Sequence, residues 1–264
     1  NILKTERNIA HQLIEEFMLV ANETVARHIE ARALPSQESY PFLYRVHAPP
    51  SPERIAELNE WLTAFGFPLP QQGKISPKQL SHILEHVRGR PEEKLLNETV
   101  LRSMQKAVYS EKNSGHFGLA AETYTHFTSP VRRYPDLIVH RLLKKTLGES
   151  PSLSPAERER WIERLPGLAR HTSERERIAM DAERDVIKRK TIRFMEDKVG
   201  KTYNGRIAGV TSFGFFVGLD PFFVEGLVHL KTLTDDHYLY DEQHHRYVGQ
   251  HSGRSFQLGD QVHI

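Results

Sequence analysis

The sequence predicts an α+β protein in which a mainly helical part, residues 1–198, precedes a small all-β domain, residues 199–264. Apolar residues in the first part recur three or four positions apart, which is the spacing of one face of a helix. From Gly200 onward the pattern changes to short β-branched and aromatic segments separated by Gly, Pro and Asp turns. With 264 residues, of which 38% are hydrophobic, the chain is long enough for two domains that each bury a core.

The first half of the helical part contains recognisable helix starts. An amphipathic helix is predicted from about Thr5 to Ala33, and because it has no capping signal at its start, the chain is expected to be a piece of a longer protein. A strand is predicted over residues 42–46. Two further helices begin at Ser51 and Ser76, where serine caps the helix and proline takes its first position. The apolar stripe of the first helix consists of Leu13, Ile14, Phe17, Met18, Ala21, Val25 and Ile29.

Three more helices are predicted in the rest of this part. One carries apolar residues from Leu95 to Val108, and another begins near Pro135. Between them, residues 111–130 have the composition of a loop. The last is a long charged helix, which begins with a capping box formed by Ser173 and Glu176 and runs to the end of the helical part.

The strands predicted in the all-β domain are short. The chain stops in the fourth or fifth of them, so the domain is expected to be incomplete at its C-terminus. The predicted strands cover residues 203–210, 214–219, 226–230 and 261–264.

The composition excludes several classes of protein. Without cysteine, the chain forms no disulfide and offers no thiolate for metal binding or nucleophilic attack. It has no apolar run near the ~18 residues that a membrane span needs, and no secretory leader, so we expect a cytoplasmic protein without a membrane partner. A net charge of +2 does not by itself indicate nucleic acid. The basic runs at Lys144-Lys145 and residues 184–193 are interpreted as solvated helix faces.

A pair of arginines, Arg132 and Arg133, lies between two prolines. Pro130 and Pro135 stiffen this loop-to-helix junction, so the arginine side chains lose less freedom when they bind. Near the positive end of a helix dipole, the Arg132 guanidinium suits an anion such as phosphate. The sequence leaves one alternative open, which is a structural ion pair with a nearby carboxylate such as Asp136.

The two arginines belong to a longer run that resembles a known family. Residues 128–137 read Thr-Ser-Pro-Val-Arg-Arg-Tyr-Pro-Asp-Leu, followed by His140-Arg141 and preceded by a His-Phe-Gly-Leu motif at residues 116–119. This combination closely resembles the signature of the RNase II/RNase R (RNB) exoribonuclease family, and it is most similar to the bacterial RNase R branch. The resemblance covers nearly the whole chain, and it implies that residues 1–198 form the C-terminal part of an RNB catalytic domain.

The resemblance implies roles for four residues of the helical part. Arg132, the first arginine of the Ser-Pro-x-Arg-Arg motif, would contact the scissile phosphate and assist catalysis, and Arg133 beside it would bind RNA. Glu15, the first glutamate of a Glu-Glu pair, would recognise the ribose 2′-hydroxyl, a contact that separates RNA from DNA. Glu183 would lie in the RNA channel. From the residues alone, Glu183 falls in an apolar stripe, where an ion pair with an arginine is an equal alternative.

The all-β domain is similar to the OB-fold RNA-binding barrel named after ribosomal protein S one. In that barrel the equivalents of Phe213, Phe216 and His229 face RNA, and aromatic side chains on neighbouring strands can stack on successive bases. The alternative is that these phenylalanines are core residues. Because side chains alternate along a strand, Phe215 and Phe216 cannot both point inward, and at least one is expected to face outward.

The family implies a processive, Mg²⁺-dependent 3′-to-5′ exoribonuclease that converts single-stranded RNA to nucleoside 5′-monophosphates, here acting as a monomer. Whether structured RNA is also degraded stays open. In the family the aspartates that bind Mg²⁺ lie upstream of this chain, so no metal ligand is predicted in it and the isolated chain is expected to be inactive. Acidic pairs at residues 235–236 and 241–242 are interpreted as solvated turns. The competing hypothesis is a non-catalytic RNA-binding relative of the family.

Overall fold

The computed structural model describes residues 8–32, 40–70, 75–90, 93–147, 153–220, 222, 224–242 and 246–264. The chain divides into two compact units. The first consists of Asn1–Ile83 and Val100–Asp181, and the second of Leu84–Thr99 and Ala182–Ile264. Within the described ranges, no helix is both long and apolar enough to cross a membrane.

The helical part contains six α-helices and one small antiparallel sheet among its described residues. In chain order these elements are α1 (Ile9–Glu30), β1 (Tyr44–Val46), α2 (Pro52–Ala64), α3 (Pro77–His86), α4 (Glu93–Ser103), β2 (Val108–Ser110), α5 (Tyr134–Lys144) and α6 (Pro155–Met195). A buried apolar cluster joins the end of α1, the two strands, α5 and the first part of α6. Its fully buried members include Ile29, Phe42, Ile138 and Leu142. This cluster holds the loop that precedes α5 against the rest of the first unit.

Both serine–proline helix starts are confirmed. The Ser51 hydroxyl accepts a hydrogen bond from the backbone N–H of Arg54 at the first turn of α2. At α3, the Ser76 hydroxyl accepts from the backbone N–H of Gln79, and the Gln79 side chain accepts from the Ser76 N–H. Local signals predicted these starts because the capping residue and its partners are three positions apart.

The prediction that α1 has no cap was wrong. Asn8 accepts a hydrogen bond from the His11 N–H, and the Asn8 N–H donates to Nδ1 of His11. An imidazole nitrogen therefore serves as the reciprocal acceptor that a Glu or Gln side chain supplies in the usual capping box. The predicted ends at Thr5 and Ala33 lie outside the described residues.

Four of the seven residues in the predicted apolar stripe of α1 are exposed to solvent. Leu13, Ile14 and Phe17 keep more than half of their surface accessible, whereas Val25 and Ile29 are buried. The helical period was predicted correctly, but periodicity does not show what covers a helix face.

The prediction that the fourth helix continues to Val108 was wrong. Helix α4 stops at Ser103, and residues 108–110 form β2, which pairs with β1 through Tyr44↔Ser110, Arg45↔Tyr109 and Val46↔Val108. The partner strand lies more than sixty positions away, so no local pattern could predict the pairing.

The capping box predicted at Ser173 was also wrong. Helix α6 runs without interruption from Pro155 to Met195, and Ser173 lies in its middle. The Ser173 hydroxyl donates to the carbonyl of Ala169 and accepts from the backbone N–H of Tyr109 in β2. The serine therefore joins the helix to the sheet instead of starting a helix.

The all-β part contains seven strands among its described residues, where four or five were predicted. They are β3 (Asn204–Thr211), β4 (Gly214–Leu219), β5 (Val224–His229), β6 (Tyr238–Asp241), β7 (Arg246–Gly249), β8 (Ser255–Gln257) and β9 (Gln261–His263). The order β5-β4-β3-β9 forms one antiparallel sheet and β6-β7-β8 a second. Side chains from both sheets share one core, which includes Phe215, Val217, Tyr247 and Phe256. The α+β class is confirmed, and the two packed sheets agree with an OB-fold, although the hydrogen-bonded ladder does not close between them in the described part.

The acidic pair at residues 235–236 is not a solvated turn, because the Asp236 side chain is almost fully buried. Its carboxylate accepts hydrogen bonds from the N–H and hydroxyl of Ser252 and from the N–H and Nδ1 of His251. Gly249 leaves room for this carboxylate, since a Cβ there would lie 2.5 Å from Oδ2 of Asp236. Asp236 therefore ties the loop after β7 to the start of β6.

Candidate functional site

The pair formed by Arg132 and Arg133 lies in a tight turn that leads into α5. The carbonyl of Ser129 accepts hydrogen bonds from the backbone N–H groups of Arg132 and Arg133, at 3.2 and 3.0 Å. Helix α5 begins directly afterwards at Tyr134. Arg133 is its N-cap residue, and the Arg133 side chain forms no capping hydrogen bond. The turn thus presents its side chains beside the positive end of a helix dipole.

The two arginines have different environments. The Arg133 guanidinium donates from Nε and Nη2 to the same oxygen of Asp136, at 3.1 and 2.7 Å. The side chain of Asp136 has no exposed surface, and that of Arg133 keeps only 19%. The structural ion pair that the sequence left open is therefore formed, and it is formed by Arg133. Direct RNA binding by Arg133 stays a prediction.

Arg132 is exposed, and its guanidinium has no hydrogen bond or ion pair with another residue that the structure describes. The adjacent Val131 is fully exposed as well. A cation in such a turn, with no carboxylate partner in the described part of the chain and next to a helix N-terminus, can bind a phosphate at low cost in lost internal contacts.

The strand-like segment before the turn is clamped at two places. Asn22 of α1 is buried, and its amide donates to the Tyr124 hydroxyl and accepts from the Phe127 N–H, both at 2.9 Å. On the other side, Nε2 of His140 donates to the Phe127 carbonyl, and the two rings stack at 4.1 Å. These contacts fix the path of the chain two residues before Ser129.

Two partly buried imidazole rings, those of His126 and His116, lie near this segment. The His126 ring shares a 2.8 Å hydrogen bond with the Tyr109 hydroxyl, and burial together with nearby Arg133 and Arg45 lowers the pKa of His126 to about 3. Burial and neighbouring His47 and Arg45 lower the pKa of His116 to about 4. Both rings are therefore neutral near pH 7.

The His-Phe-Gly-Leu motif packs on His47. Nδ1 of His47 accepts a hydrogen bond from the Gly118 N–H, while its Nε2 donates to the Gln105 carbonyl. A Cβ on Gly118 would lie 2.8 Å from Nδ1 of His47, so only glycine allows this approach. The motif contributes to the wall of the site by close packing rather than by a reactive group.

Arg45 of β1 is the third guanidinium near the imidazoles. It forms a 2.6 Å ion pair with Glu176 of α6, and its guanidinium lies over the Tyr109 ring at 4.7 Å. Its side chain is only 13% exposed. Arg45 and Arg133 thus have carboxylate partners, whereas Arg132 has none within the described ranges.

The two predicted glutamates lie on exposed helix faces. Glu15 is seven residues before Asn22 on α1, so it lies on the same face, about 10 Å along the axis from the clamp that holds the Phe127 segment. Glu183 lies on α6 in the second unit and forms no ion pair with another described residue. The sequence allowed Glu183 to form an ion pair with an arginine as an alternative. The described part of the chain contains no such ion pair.

The second candidate surface is the outer face of β3, β4 and β5. Phe215 is buried, whereas Phe216 is half-buried and points to the other side, as alternation along the strand predicts. Register places Phe216 opposite Leu227, and His229 is opposite Gly214 on the same face. Phe213 is exposed in the turn between β3 and β4. Phe216 and His229 therefore lie on one face of the sheet, with Phe213 in the turn beside it.

No group of three or more His, Asp or Glu side chains within the described ranges is arranged to hold a metal ion. The described residues therefore do not fit a Mg²⁺ site.

Sequence reasoning missed Asn22, Arg45 and His126 as parts of this site. A signal existed for Asn22, because it is a polar residue at a stripe position of an amphipathic helix, and buried amides have partners. Arg45 and His126 carried no comparable signal, since their partners lie far away in the sequence.

Comparisons with known proteins agree with this architecture. Residues 1–149 match the model of the RNB domain, and residues 196–264 match that of the S1 RNA binding domain. Ribonuclease R of Aquifex aeolicus is 47% identical over 260 residues, which cover 98% of this chain and 35% of that protein. Ribonuclease R of Escherichia coli is 41% identical over 268 residues, covering all of this chain and 32% of that protein.

A solved structure is also similar over nearly the whole chain. It is that of Mycoplasma genitalium RNase R in complex with ribose-methylated single-stranded RNA, with a TM-score of 0.86, 29% identity, and coverage of 98% of this chain and 40% of that one. This chain spans about a third of the length of the curated relatives it matches.

Proposed function

The chain belongs to the RNB family of ribonucleases, and we propose that the whole protein is a processive 3′-to-5′ exoribonuclease of the ribonuclease R type. Its substrate is single-stranded RNA, and its products are nucleoside 5′-monophosphates. The observation that carries the proposal is the exposed Arg132 at the turn before α5, which has no partner among the described residues, in a chain whose whole length matches about a third of ribonuclease R. The similar structure that holds single-stranded RNA supports the substrate class.

Arg132 acts on the phosphate that is cleaved. Its guanidinium can form two parallel hydrogen bonds to phosphate oxygens, and the adjacent helix N-terminus favours the same negative charge. Charge that develops on the phosphate during attack strengthens both interactions, so Arg132 stabilises the transition state more than the bound RNA.

Other residues bind the RNA strand. Glu15 accepts a hydrogen bond from a ribose 2′-hydroxyl, and Glu183 contacts the strand in the channel. On the barrel, Phe216, Phe213 and His229 stack on bases without regard to sequence. Processivity follows because the strand is held at several points while one nucleotide is removed.

The family uses a divalent metal ion, and we assign Mg²⁺ to this protein. When bound, it would orient water and neutralise charge on the phosphate. The described residues offer no such site, and we assign its ligands, as the family resemblance implies, to a part of the protein upstream of this chain. The isolated chain should therefore not degrade RNA. The catalytic part ends and the barrel begins after residue 198, and the protein acts as a cytoplasmic monomer.

The test uses the full-length protein with 5′-labelled single-stranded RNA and Mg²⁺. Arg132→Ala should lower kcat by about 100- to 1,000-fold, as for other groups that stabilise a transition-state charge, with a much smaller change in RNA affinity. Arg160→Ala, at an exposed arginine of α6, is the matched control and should keep full activity. Unchanged kcat in Arg132→Ala would overturn the assignment. A full-length protein that binds RNA and never shortens it would instead indicate a non-catalytic RNA-binding relative.

The barrel surface has its own test. Phe216→Ala should weaken RNA binding by about 1–3 kcal/mol, which is the contribution of one stacked base, without loss of the fold. Leu239→Ala removes an exposed apolar side chain of β6 and should leave affinity unchanged. Equal affinities in both variants would show that this face does not contact RNA.

A further inference from the structure

We infer that the buried ion pair between Arg133 and Asp136 is a positioning device that sets the turn carrying Arg132. The inference rests on the proposed function and deepens it, because it assigns Arg133 to the turn rather than to the RNA strand. It also makes Asp136 a residue that determines the reaction rate without contacting the substrate.

The first observation is that one carboxylate oxygen holds both ends of the turn. Oδ1 of Asp136 accepts a hydrogen bond from the Ser129 N–H at 2.8 Å, and it accepts two more from the Arg133 guanidinium. Ser129 and Arg133 flank the apex, so a single atom closes the loop around Arg132. The Ser129 carbonyl adds a second closure through the Arg132 and Arg133 N–H groups.

The second observation concerns burial. Asp136 is completely buried in the first turn of α5, so its negative charge needs a partner inside the protein. Arg133 supplies that partner from a position three residues earlier. Loss of the pair would leave a buried charge without compensation and release the Arg133 side chain toward the place where Arg132 meets the phosphate.

The third observation is that Arg132 has no fixing contacts of its own. Its side chain has no partner among the described residues, and only its backbone N–H is bonded, to Ser129. Its direction therefore depends on the backbone of the turn. Because misplacement of a catalytic group by about 1 Å can cost 100-fold in rate, a firm turn matters for kcat.

The unpartnered second oxygen of Asp136 provides a clean variant. Oδ2 is buried and accepts no hydrogen bond from the described residues. In Asp136→Asn the amide nitrogen can take the place of Oδ2, so Oδ1 still accepts from the Ser129 N–H while the charge that holds Arg133 is lost. The matched control is Asp241→Asn, which removes the carboxylate charge from a partly exposed ion pair with Arg246.

In the full-length protein, Asp136→Asn should lower kcat by about 10- to 100-fold, since the catalytic arginine remains but is held less firmly. RNA affinity, measured with EDTA present to prevent turnover, should change less than threefold. Arg133→Ala should behave likewise, and Arg133→Lys should recover part of kcat because it keeps the charge. Asp241→Asn should match the unmodified protein.

Salt dependence separates positioning from direct contact. A lost phosphate contact lowers the slope of log affinity against log salt by about 0.7 for a single strand. Arg132→Ala should show this reduction, whereas Arg133→Ala should keep the original slope. A reduced slope in Arg133→Ala would show that Arg133 binds phosphate, and it would overturn the inference.

The deciding measurement is a double-variant cycle between Arg132 and Asp136. If Asp136 acts through Arg132, Asp136→Asn should have no further effect on kcat in the Arg132→Ala background. Multiplicative losses, or a normal kcat in Asp136→Asn, would overturn the inference while the proposed function stands. A normal kcat in Arg132→Ala would instead overturn the proposed function and this inference with it. If Asp136→Asn does not fold, the same cycle with Arg133→Ala gives the same decision.

Discussion

Asn22 should be a major source of stability in the first unit, because it joins α1 to the segment before the arginine turn. Asn22→Ala removes one buried and one partly buried hydrogen bond, and it takes from the Phe127 N–H and the Tyr124 hydroxyl the partner that each has among the described residues. Each buried group left unsatisfied costs about 1–3 kcal/mol, and the better helix propensity of alanine returns about 0.5 kcal/mol. The expected loss in the free energy of unfolding is about 2–4 kcal/mol, or a fall in Tm of roughly 5–15 °C for a protein of this size.

Denaturant unfolding measures the loss, and hydrogen exchange locates it. Exchange in a peptide that covers residues 124–129 should become faster in Asn22→Ala, since the Phe127 amide loses its acceptor. The control is Asn97→Ala, at an exposed asparagine of α4 whose side chain has no hydrogen bond to another described residue; it should change stability by less than about 0.5 kcal/mol. If the two variants were equally stable and exchange at residues 124–129 did not change, the clamp would have no energetic role.

Three other perturbations test separate parts of the fold. Gly205→Ala should destabilise the all-β part by about 1–3 kcal/mol in denaturant unfolding, since its Cβ would lie 2.6 Å from a Val217 methyl, whereas Gly167→Ala on open α6 should stabilise by about 0.5–1 kcal/mol; equal effects would refute the packing argument. Ser173→Ala should lower the free energy of unfolding by about 1–3 kcal/mol, because the Tyr109 N–H in β2 loses the hydroxyl that accepts its hydrogen bond. An unchanged free energy of unfolding would show that Ser173 does not stabilise the sheet. The free energy of unfolding should fall as pH drops from 6.5 toward 3, because the pKa of His126 is about 3 in the folded protein and 6.5 in the unfolded chain. His126→Asn should make this fall shallower. If the variant showed the same slope of unfolding free energy against pH, the lowered pKa of His126 would be contradicted.

Elements with local signals could be predicted from the sequence. The starts of α2 and α3 depend on Ser51 and Ser76, whose hydrogen-bond partners are three residues away. The strands β3, β4 and β9 follow from β-branched and aromatic residues between turns. The outward position of Phe216 follows from alternation once β4 is recognised. In each case the deciding contact lies within one turn of helix or one strand.

Features that depend on distant partners could not be predicted. Residues 108–110 pair with β1, and the hydroxyl of Ser173 bonds to β2 from the middle of a helix, so both overrode a plausible local pattern. The sheet of β6, β7 and β8 was missed because its strands are only three or four residues long. Exposure of the first turns of α1 could not be foreseen either, since period alone does not identify a covering element.

The distinction between the two arginines lies outside what sequence can decide. Arg132 and Arg133 are adjacent and chemically identical, and the sequence allowed either one to pair with Asp136. Backbone geometry makes the choice, because the turn ends at Arg133 and α5 begins at once, which places Asp136 within reach of Arg133 three residues earlier. Arg132, one residue earlier, forms no hydrogen bond with that carboxylate, whose partners among the described residues are Ser129 and Arg133.

Of the three arginines at the site, Arg132 is the exposed one, and it has no carboxylate partner among the described residues. Arg45 and Arg133 are each matched by a carboxylate, and burial keeps the His126 ring behind them uncharged near pH 7. A protonated imidazole there would add a charge that the buried surroundings could not hydrate, and it would be repelled by the three guanidinium groups. Because Arg45 and Arg133 each have a carboxylate partner, the proposed attraction for a phosphate depends on the exposed Arg132 and on the adjacent helix N-terminus.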